Sequence, residues 1–363
     1  AAGEYLLTAG IKLAAGESII GAGRDKTFLD ASQIGATAAG QPHAVELDSG
    51  DNLLRGICVM KLTEGLNSTG QKTIYVKKGI VEHCRSAFNR GKYACGGFGM
   101  MIAGGTVSNS LIDHISLSDM SANGLAVQIT GGVLTDSEIC DTDTAAGRSI
   151  KGGGLYVNGG TVRCCRIHDN GRSETYSGEE GTAAYLNSGT LENCLVYGNL
   201  NNNGSGTSTQ PAGVYNVNGT LRYCTIFGNL TVNDATGYSG LKQTGGSGRN
   251  NIVFGNATAA LGAQIAGGTF ETNLLDAAVT GYAVNYTTDD PCFADAGAND
   301  FHIVSKASAA VGKATPIAAV TNDFDGVARD PEKPTIGAYE YVAGDEAFAV
   351  ELLVTQKNWP LGS

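Results

Sequence analysis

Three side chains that could act on an acidic sugar stand close together in the segment GTVRCCRIHD, which begins at Gly160. Arg163, Arg166 and His168 occupy positions that face outward if this segment forms strands. Elimination from a uronate needs a cation beside the carboxylate, which acidifies the C5 proton, and a base that removes that proton. We therefore predict Arg166 and His168 as catalytic residues, with Lys151 assisting them. Loop residues that could also assist are Arg148, Glu174, Glu179 and Glu180.

The same basic residues also have a purely structural interpretation. Glu138 lies one repeat before Arg166, and Glu192 lies one repeat after Arg163, with Arg222 beyond it. Cross-strand Arg–Glu pairs on a surface contribute less than about 1 kcal/mol each and need no ligand. The two interpretations differ in whether the arginines are paired with these glutamates.

A column of residues that recurs once per repeat gives a second candidate site. Rings at this spacing could stack on sugar rings, so we predict Tyr197, Phe227 and Phe254 as substrate-binding residues, together with Arg163. The alternative is that a flanking segment covers the rings, in which case each aromatic pair contributes about 0.5–1.5 kcal/mol to packing. Insertions at residues 169–182 and 199–212 could supply that cover. The column reads Asp113, Cys140, His168, Tyr197, Phe227, Phe254.

The elements that must position these residues are short repeated strands. Segments of similar sequence begin at intervals of about 27 to 30 residues, and each is preceded by a second short apolar strand. Their first residues are Gly105, Gly132, Gly160, Gly189, Gly219, Gly248 and Gly268, and looser copies precede Gly105. Units this short and rich in turns cannot hold a strand–helix–strand crossover.

Stacking one repeat on the next explains why residue types recur in columns. If each repeat forms one coil, equivalent residues lie about 4.8 Å apart, so inward positions form apolar columns and turns can carry asparagine ladders. We predict an all-β, right-handed parallel β-helix of about ten coils. The aliphatic column reads Ile112, Ile139, Ile167, Val196, Ile226, Val253, and the asparagine column reads Asn89, Asn170, Asn199, Asn229, Asn256.

Composition agrees with this fold and excludes several classes of protein. The chain has 363 residues with 53 Gly and 7 Pro, which excludes collagen and disfavours helices. A net charge of −11 disfavours nucleic acid as a partner, and no apolar run reaches the length of a membrane helix. Nine cysteines cannot all pair within the chain, and we predict Cys165, Cys194 and Cys224 to be buried free thiols.

With this repeat pattern, the whole chain resembles the parallel β-helix proteins of the pectate-lyase-like superfamily. Residues 290–314 and 323–341 resemble the terminal segment of choice-of-anchor Q proteins, which are exported and common in Bacteroides-type bacteria. That family ends in a D-G-x-x-R … I-G-A-x-E signature, matched here by Asp325, Gly326, Arg329, Ile336, Gly337, Ala338 and Glu340. The resemblance implies a secreted, periplasmic or cell-surface protein, and the first residues resemble the family's first coils without an upstream cap.

Two segments bear on calcium. Residues 111–114 and 118–127 superficially resemble a stretch of calcium-dependent pectate lyases, but Leu111 replaces an aromatic residue and Asn123 replaces an aspartate. Calcium prefers several carboxylate oxygens, and a second short run, Asp141, Asp143 and Gly147, is an aspartate-rich turn. We therefore expect no metal ligands and no required cofactor, with calcium kept as the alternative.

We expect residues 1–289 to form the coils, residues 290–342 to form a C-terminal cap of the same domain, and residues 343–363 to form a tail. The favoured function is an exported protein that binds carbohydrate polymers along the flank of the solenoid as a monomer. The alternative is a polysaccharide lyase or a glycoside hydrolase, although the paired aspartates of galacturonase-type hydrolases are absent.

Overall fold

The computed structural model of the chain describes residues 1–34, 43–63, 70–91, 96–117, 122–143, 150–171, 179–202, 210–232, 239–256, 263–282 and 284–343. Within these residues the structure is β-strand and turn, and the one helical element is the short 3₁₀ helix Ala296–Ala298. This part of the chain contains no apolar helix long enough to cross a membrane.

One parallel sheet, sheet 1, runs along the whole solenoid, and its strands pair strictly in chain order. Each coil therefore adds one strand to it. The strands of sheet 1 are Gly3–Leu6, Thr27–Asp30, Cys58–Met60, Arg85–Gly91, Leu111–Leu117, Glu138–Cys140, Arg166–His168, Leu195–Tyr197, Thr225–Phe227, Ile252–Phe254, Leu274–Leu275 and Tyr286–Thr287.

Two further parallel ladders, sheet 2 and sheet 3, form the other faces, and the long strands Leu155–Arg163 and Ala184–Glu192 run through both. Sheet 2 also contains Ile11–Leu13, Val45–Leu47, Ile74–Val76, Met100–Ile102, Val127–Ile129, Val214–Asn216, Leu241–Gln243 and Ala263–Ile265. Sheet 3 also contains Ser18–Ile20, Leu53–Arg55, Ile80–Glu82, Thr106–Ser108, Val133–Thr135, Thr220–Arg222, Ser247–Arg249 and Thr269–Glu271.

Each coil passes through sheet 2, sheet 3 and sheet 1 in turn. The coil made of Val127–Ile129, Val133–Thr135 and Glu138–Cys140 pairs residue by residue with the next coil, which ends in Arg166–His168. The predicted parallel β-helix is therefore confirmed.

The inward side chains form the continuous core that the repeat pattern predicts. All six members of the aliphatic column are fully buried, and burying a side chain of this size contributes about 1.5–3 kcal/mol. Cys165, Cys194 and Cys224 are also fully buried and free, which confirms the prediction of buried thiols.

An asparagine ladder closes the turn after sheet 1. The Nδ2 of Asn170 donates to Oδ1 of Asn199 at 3.0 Å, Asn199 donates to Asn229 at 2.8 Å, and Asn229 donates to Asn256 at 2.8 Å. All four side chains are buried, so each amide satisfies polar groups that water cannot reach. The ladder holds successive coils in register.

Several short elements lie outside the three faces. A three-stranded sheet contains Ala122–Asn123, Ile150–Lys151 and Glu179–Glu180, and a two-stranded sheet contains Leu200–Asn202 and Leu230–Val232. Phe293–Asp295 and Asp300–Ile303 form an antiparallel hairpin around the 3₁₀ helix. This hairpin begins the C-terminal segment, residues 290–342.

The C-terminal segment folds back along the flank of the coils. Its residues contact the corner between sheets 3 and 1: the Nδ2 of Asn193 donates to the carbonyl of Asn322, and the hydroxyl of Tyr223 donates to the carbonyl of Thr315. The backbone N–H of Gly337 donates to the carbonyl of Asn250. The segment thus spans several successive coils on their side.

The D-G-x-x-R … I-G-A-x-E residues hold this segment in place. The buried guanidinium of Arg329 donates to Oε2 of Glu340 at 3.3 Å, to Oδ1 of Asn193 at 2.9 Å and to the carbonyls of Thr335, Gly337 and Ala338. Its carbon Cζ also lies 4.0 Å from the ring centre of Tyr223. The signature is therefore a docking device in this fold.

Candidate functional site

A groove lies between the coil corner that joins sheets 3 and 1 and residues 319–326 of the C-terminal segment. It has a volume of about 640 Å³. A second groove of about 410 Å³ lies towards the first coils and shares Asn109, Asp136 and Arg166 with the first. Because they share these residues, the two grooves adjoin each other along the corner.

The floor of this groove is built by one-residue turns in the left-handed conformation. Asn109, Asp136, Cys164 and Asn193 all have φ near +50° at equivalent positions of successive coils. Asparagine and aspartate tolerate this region better than other residues with a side chain, since their short polar groups bond locally. The sharp corner exposes backbone and polar side chains to the groove.

Arg163 and Arg166 are the cationic side chains of the main groove, and both are exposed. Each faces a glutamate in register, Arg163 opposite Glu192 and Arg166 opposite Glu138. Yet in the described part of the chain neither guanidinium has a carboxylate within ion-pair distance. The Cζ of Arg166 instead lies 4.6 Å from the ring centre of Phe324. The Arg–Glu pairs between successive coils, which the structural interpretation requires, are therefore not formed by these two arginines.

The two glutamates are taken by other partners. The Nε of Arg222 donates to Oε2 of Glu192 at 2.7 Å, and Nε2 of His168 lies 2.9 Å from Oε1 of Glu138. Each glutamate therefore neutralises a group other than the arginine that faces it.

The aspartates that line the groove are engaged as well. Asp323 accepts backbone N–H bonds from Asp325, Val327 and Glu340, and the Oδ2 of Asp325 lies 2.9 Å from Nε2 of His302. Asp136 accepts a hydrogen bond from the hydroxyl of Thr135. The groove thus contains acids that already have partners and arginines that can still bind an anion.

His168 does not have the environment of a catalytic base. Its Nδ1 lies 2.7 Å from Oδ2 of Asp169, so both ring nitrogens face carboxylates, and its ring stacks on Tyr197 at 4.8 Å. Burial lowers the pKa of His168, but the hydrogen bonds to Glu138 and Asp169 more than offset this, and the pKa is raised overall. A ring that favours the imidazolium form is poorly suited to accept a proton from a substrate.

Lys151 lies away from Arg166 and His168. It belongs to the separate three-stranded sheet, its Nζ is 5.2 Å from the ring centre of Tyr185 on sheet 2, and it lies 3.7 Å from Glu180. Residues that are close in sequence are separated here because the coil turns between them. The structure therefore does not bring together the three residues that we predicted as catalytic.

The aromatic column is covered. Tyr197 is only 7 % exposed and packs against Phe301, with ring centres 5.4 Å apart. The ring centre of Phe227 lies 5.3 Å from that of Phe301 and 5.7 Å from that of Phe293. The ring also stacks on Phe254, with the ring centres 6.5 Å apart. The cover that the alternative interpretation requires is present, and among the described residues it comes from the C-terminal segment. These rings hold that segment and do not form an open stacking strip.

Some of the residues considered for calcium lie within the described structure, and Asp113 is one of them. Both carboxylate oxygens of Asp113 have partners, Arg85 and His114, and the residue is buried. Residues 118–121, Gly147, Arg148 and Glu174, and the side chain of Glu179, lie outside the described residues. The described residues of these segments do not converge on a set of carboxylates.

Sequence reasoning missed the residues of the C-terminal segment that form one wall, including Asn322 and Phe324. It also missed the polar floor, although a signal was present. Asn109, Asp136 and Asn193 each directly precede the serine or cysteine position of their repeat. A polar residue recurring just before a buried column marks a tight corner, which is where a solenoid exposes its backbone.

Comparison with known proteins supports the fold. No protein-family model matches the sequence, and no curated protein matches it. The structure is similar to the crystal structure of pectate lyase Pel9A, with a TM-score of 0.55 and 11% sequence identity over 94% of this chain and 86% of that one. The likeness shows a pectate-lyase-like parallel β-helix.

Proposed function

We propose that this protein is an exported, monomeric β-helix protein of the choice-of-anchor Q type that binds an acidic polysaccharide in the corner groove. The observation that carries the proposal is the pair of exposed arginines, Arg163 and Arg166, which face the groove without a carboxylate partner among the described residues. The C-terminal signature supports the cellular location, and the pectate-lyase-like fold supports a carbohydrate ligand.

Guanidinium groups suit this ligand. A planar guanidinium donates two parallel hydrogen bonds to a carboxylate, and it gives up its hydration more readily than an ammonium group does. Arg163 and Arg166 come from the two sides of the same coil corner, so they could contact successive acidic groups of one glycan chain. The net charge of −11 repels an anionic ligand, so local cations such as these are needed to hold it.

Lyase activity on uronate glycans is the second candidate, since Arg166 could stabilise the developing negative charge in that reaction too. This candidate needs a base, and His168 is bonded to Glu138 and Asp169 through both nitrogens. Binding without cleavage therefore accounts better for the groove. A glycoside hydrolase would need a pair of carboxylates free to act, and the groove aspartates have partners.

The decisive measurement is binding to polygalacturonate and to neutral dextran by isothermal titration calorimetry. We expect wild-type protein to bind the acidic polymer and Arg163→Gln/Arg166→Gln to bind at least about tenfold more weakly, a loss of about 1.4 kcal/mol. Arg249→Gln is the matched control, because Arg249 is already paired with Glu271 outside the groove. No binding to the acidic polymer, or equal binding by the double variant, contradicts the proposal.

Incubation of wild-type protein with the same polymers, followed by ultraviolet absorbance of unsaturated uronates, separates the two candidates. Binding without product supports the binding protein. Product formation that Arg166→Gln abolishes supports the lyase instead. Size-exclusion chromatography with light scattering tests whether the protein is a monomer.

A further inference from the structure

Three side chains of different donor type meet on the outer face of sheet 1. Glu138 and Cys140 lie two residues apart on one strand, and His168 lies opposite Cys140 on the next strand. One donor atom from each side chain, an oxygen, a sulfur and a nitrogen, lies within 4.8 Å of the other two. Among the described residues, this is the one group of metal-ligating side chains that meets so closely.

We propose that Glu138, Cys140 and His168 bind a divalent transition-metal ion of the zinc class, with Asp169 as a positioning residue. Thiolate and imidazole are ligands that Zn²⁺ favours, and three protein ligands leave one coordination position open. Calcium is disfavoured, because it takes oxygen ligands alone. On binding, the thiol of Cys140 and the Nε2 of His168 each give a proton to solvent, and the sulfur and this nitrogen bond to the metal.

The orientation of His168 supports this assignment. Its Nδ1 is held by Oδ2 of Asp169 at 2.7 Å, and its Nε2 points at Glu138 at 2.9 Å. Histidine ligands of metals usually bond through their second nitrogen to a carboxylate, which fixes the ring and the tautomer. The space between Nε2 of His168 and Oε1 of Glu138 is the place that the metal would take.

The surroundings favour a cation and give it access. Asp113 faces Cys140 in register on the preceding strand, and Glu138 and Asp141 are near it in the chain, so carboxylates surround the thiol. Cys140 is 5 % exposed, whereas the side chain of Glu138 is 43 % exposed. The cluster therefore has a buried soft ligand and an open side towards solvent. Glu138 also lines the second groove, but metal binding can be measured in the absence of any glycan.

Cobalt and zinc titrations of the chelator-treated full chain test the site. We expect one equivalent of Co²⁺ to produce the near-ultraviolet absorption of a cobalt–thiolate bond, and Zn²⁺, but not Ca²⁺, to remove it. Cys140→Ser is expected to lose this band, and His168→Gln to lose stoichiometric binding. Asp169→Asn is expected to weaken Zn²⁺ binding about 10- to 100-fold, since it loses the carboxylate that orients the ring.

Two variants provide matched controls. His302→Gln removes an imidazole that also lies between two carboxylates but has no thiol among its described contacts, and Cys292→Ser removes a partly exposed thiol elsewhere. Both are expected to bind Zn²⁺ as wild type does. Circular dichroism and thermal unfolding verify that each variant is folded. Absence of stoichiometric binding, or a cobalt–thiolate band that persists in Cys140→Ser, overturns the proposal.

Discussion

The guanidinium of Arg329 donates a hydrogen bond to Oδ1 of Asn193 at 2.9 Å and so joins the C-terminal segment to a coil corner 136 residues earlier in the chain. Both residues are buried, and the same guanidinium also forms an ion pair with Glu340, the last residue of the C-terminal signature. This contact places one wall of the groove beside the arginines of the other wall.

Replacing Arg329 is expected to destabilise the protein strongly. Arg329→Met leaves the buried carboxylate of Glu340 without its cation, which typically costs about 3–5 kcal/mol in free energy of unfolding. Arg249→Met is the control, because the Arg249–Glu271 pair is partly exposed and such pairs contribute under about 1 kcal/mol. Urea denaturation followed by circular dichroism gives both values. Equal losses in the two variants would contradict the docking role of Arg329.

The asparagine ladder gives a second prediction. Asn199 donates to the carbonyls of Ile167 and Tyr197 and to Asn229, and it accepts from Asn170. Asn199→Ala leaves buried groups without partners, and each such group costs about 1–3 kcal/mol.

The control for the ladder is Asn187→Ala, since Asn187 makes its bond to Asn158 on the exposed surface. That change is expected to alter the free energy of unfolding by less than about 0.5 kcal/mol. Denaturation of both variants by urea provides the comparison. A neutral Asn199→Ala would show that coil register does not depend on the ladder.

Glycine at the corner between sheets 2 and 3 gives a third prediction. Gly132 has φ +77°, and a Cβ there would lie 2.5 Å from the carbonyl oxygen of Gly105. Gly132→Ala is expected to cost about 1–2 kcal/mol from backbone conformation, and the contact with Gly105 adds to this cost. Gly50→Ala is expected to be neutral or slightly stabilising, because no neighbouring atom lies within 4 Å. Thermal unfolding of both variants compares them directly.

A fourth prediction concerns pH and His302. Burial lowers the pKa of His302, but hydrogen bonds to Asp300 and Asp325 outweigh it, and the pKa is raised above the ordinary value. A raised pKa in the folded state means that the protonated ring stabilises the fold at low pH. This contribution is complete below about pH 6.5 and is lost as the pH rises through the pKa of the folded state.

The measurement is the difference in melting temperature between wild type and His302→Gln across this pH range. We expect wild type to melt higher at mildly acidic pH and the difference to shrink towards alkaline pH. A difference that stays constant with pH would show that the ring acts only by packing on Tyr339, on which it stacks with ring centres 3.8 Å apart.

Repetition made much of the fold predictable. Ile139 and Ile167 occupy the same position in successive repeats, and stacking alone requires both to point inward. The partners of surface charges were not predictable in this way. Glu138 faces Arg166 in register but pairs with His168, because that choice depends on side-chain conformations on a two-dimensional face.

The placement of the C-terminal segment could not be predicted from the sequence either. Residues 290–342 belong to no repeat, so periodicity says nothing about where they dock. Phe301 fills the space over Tyr197 and Phe227, yet its sequence neighbours give no sign of these partners. Lys151 is expected from the sequence to assist Arg166 and His168, but the structure places it in the separate three-stranded sheet.

The position of the C-terminal segment on the flank also sets the order in which parts of the protein can fold during synthesis. Coils can form one after another as the ribosome delivers them, whereas the hairpin that shields Tyr197 and Phe227 is translated later than every coil it covers. Until the hairpin has been translated, the rings of Tyr197 and Phe227 stay exposed to water on coils that have already folded. In nascent chains that stall before Phe293 these aromatic rings would remain exposed, and two such chains could associate through them.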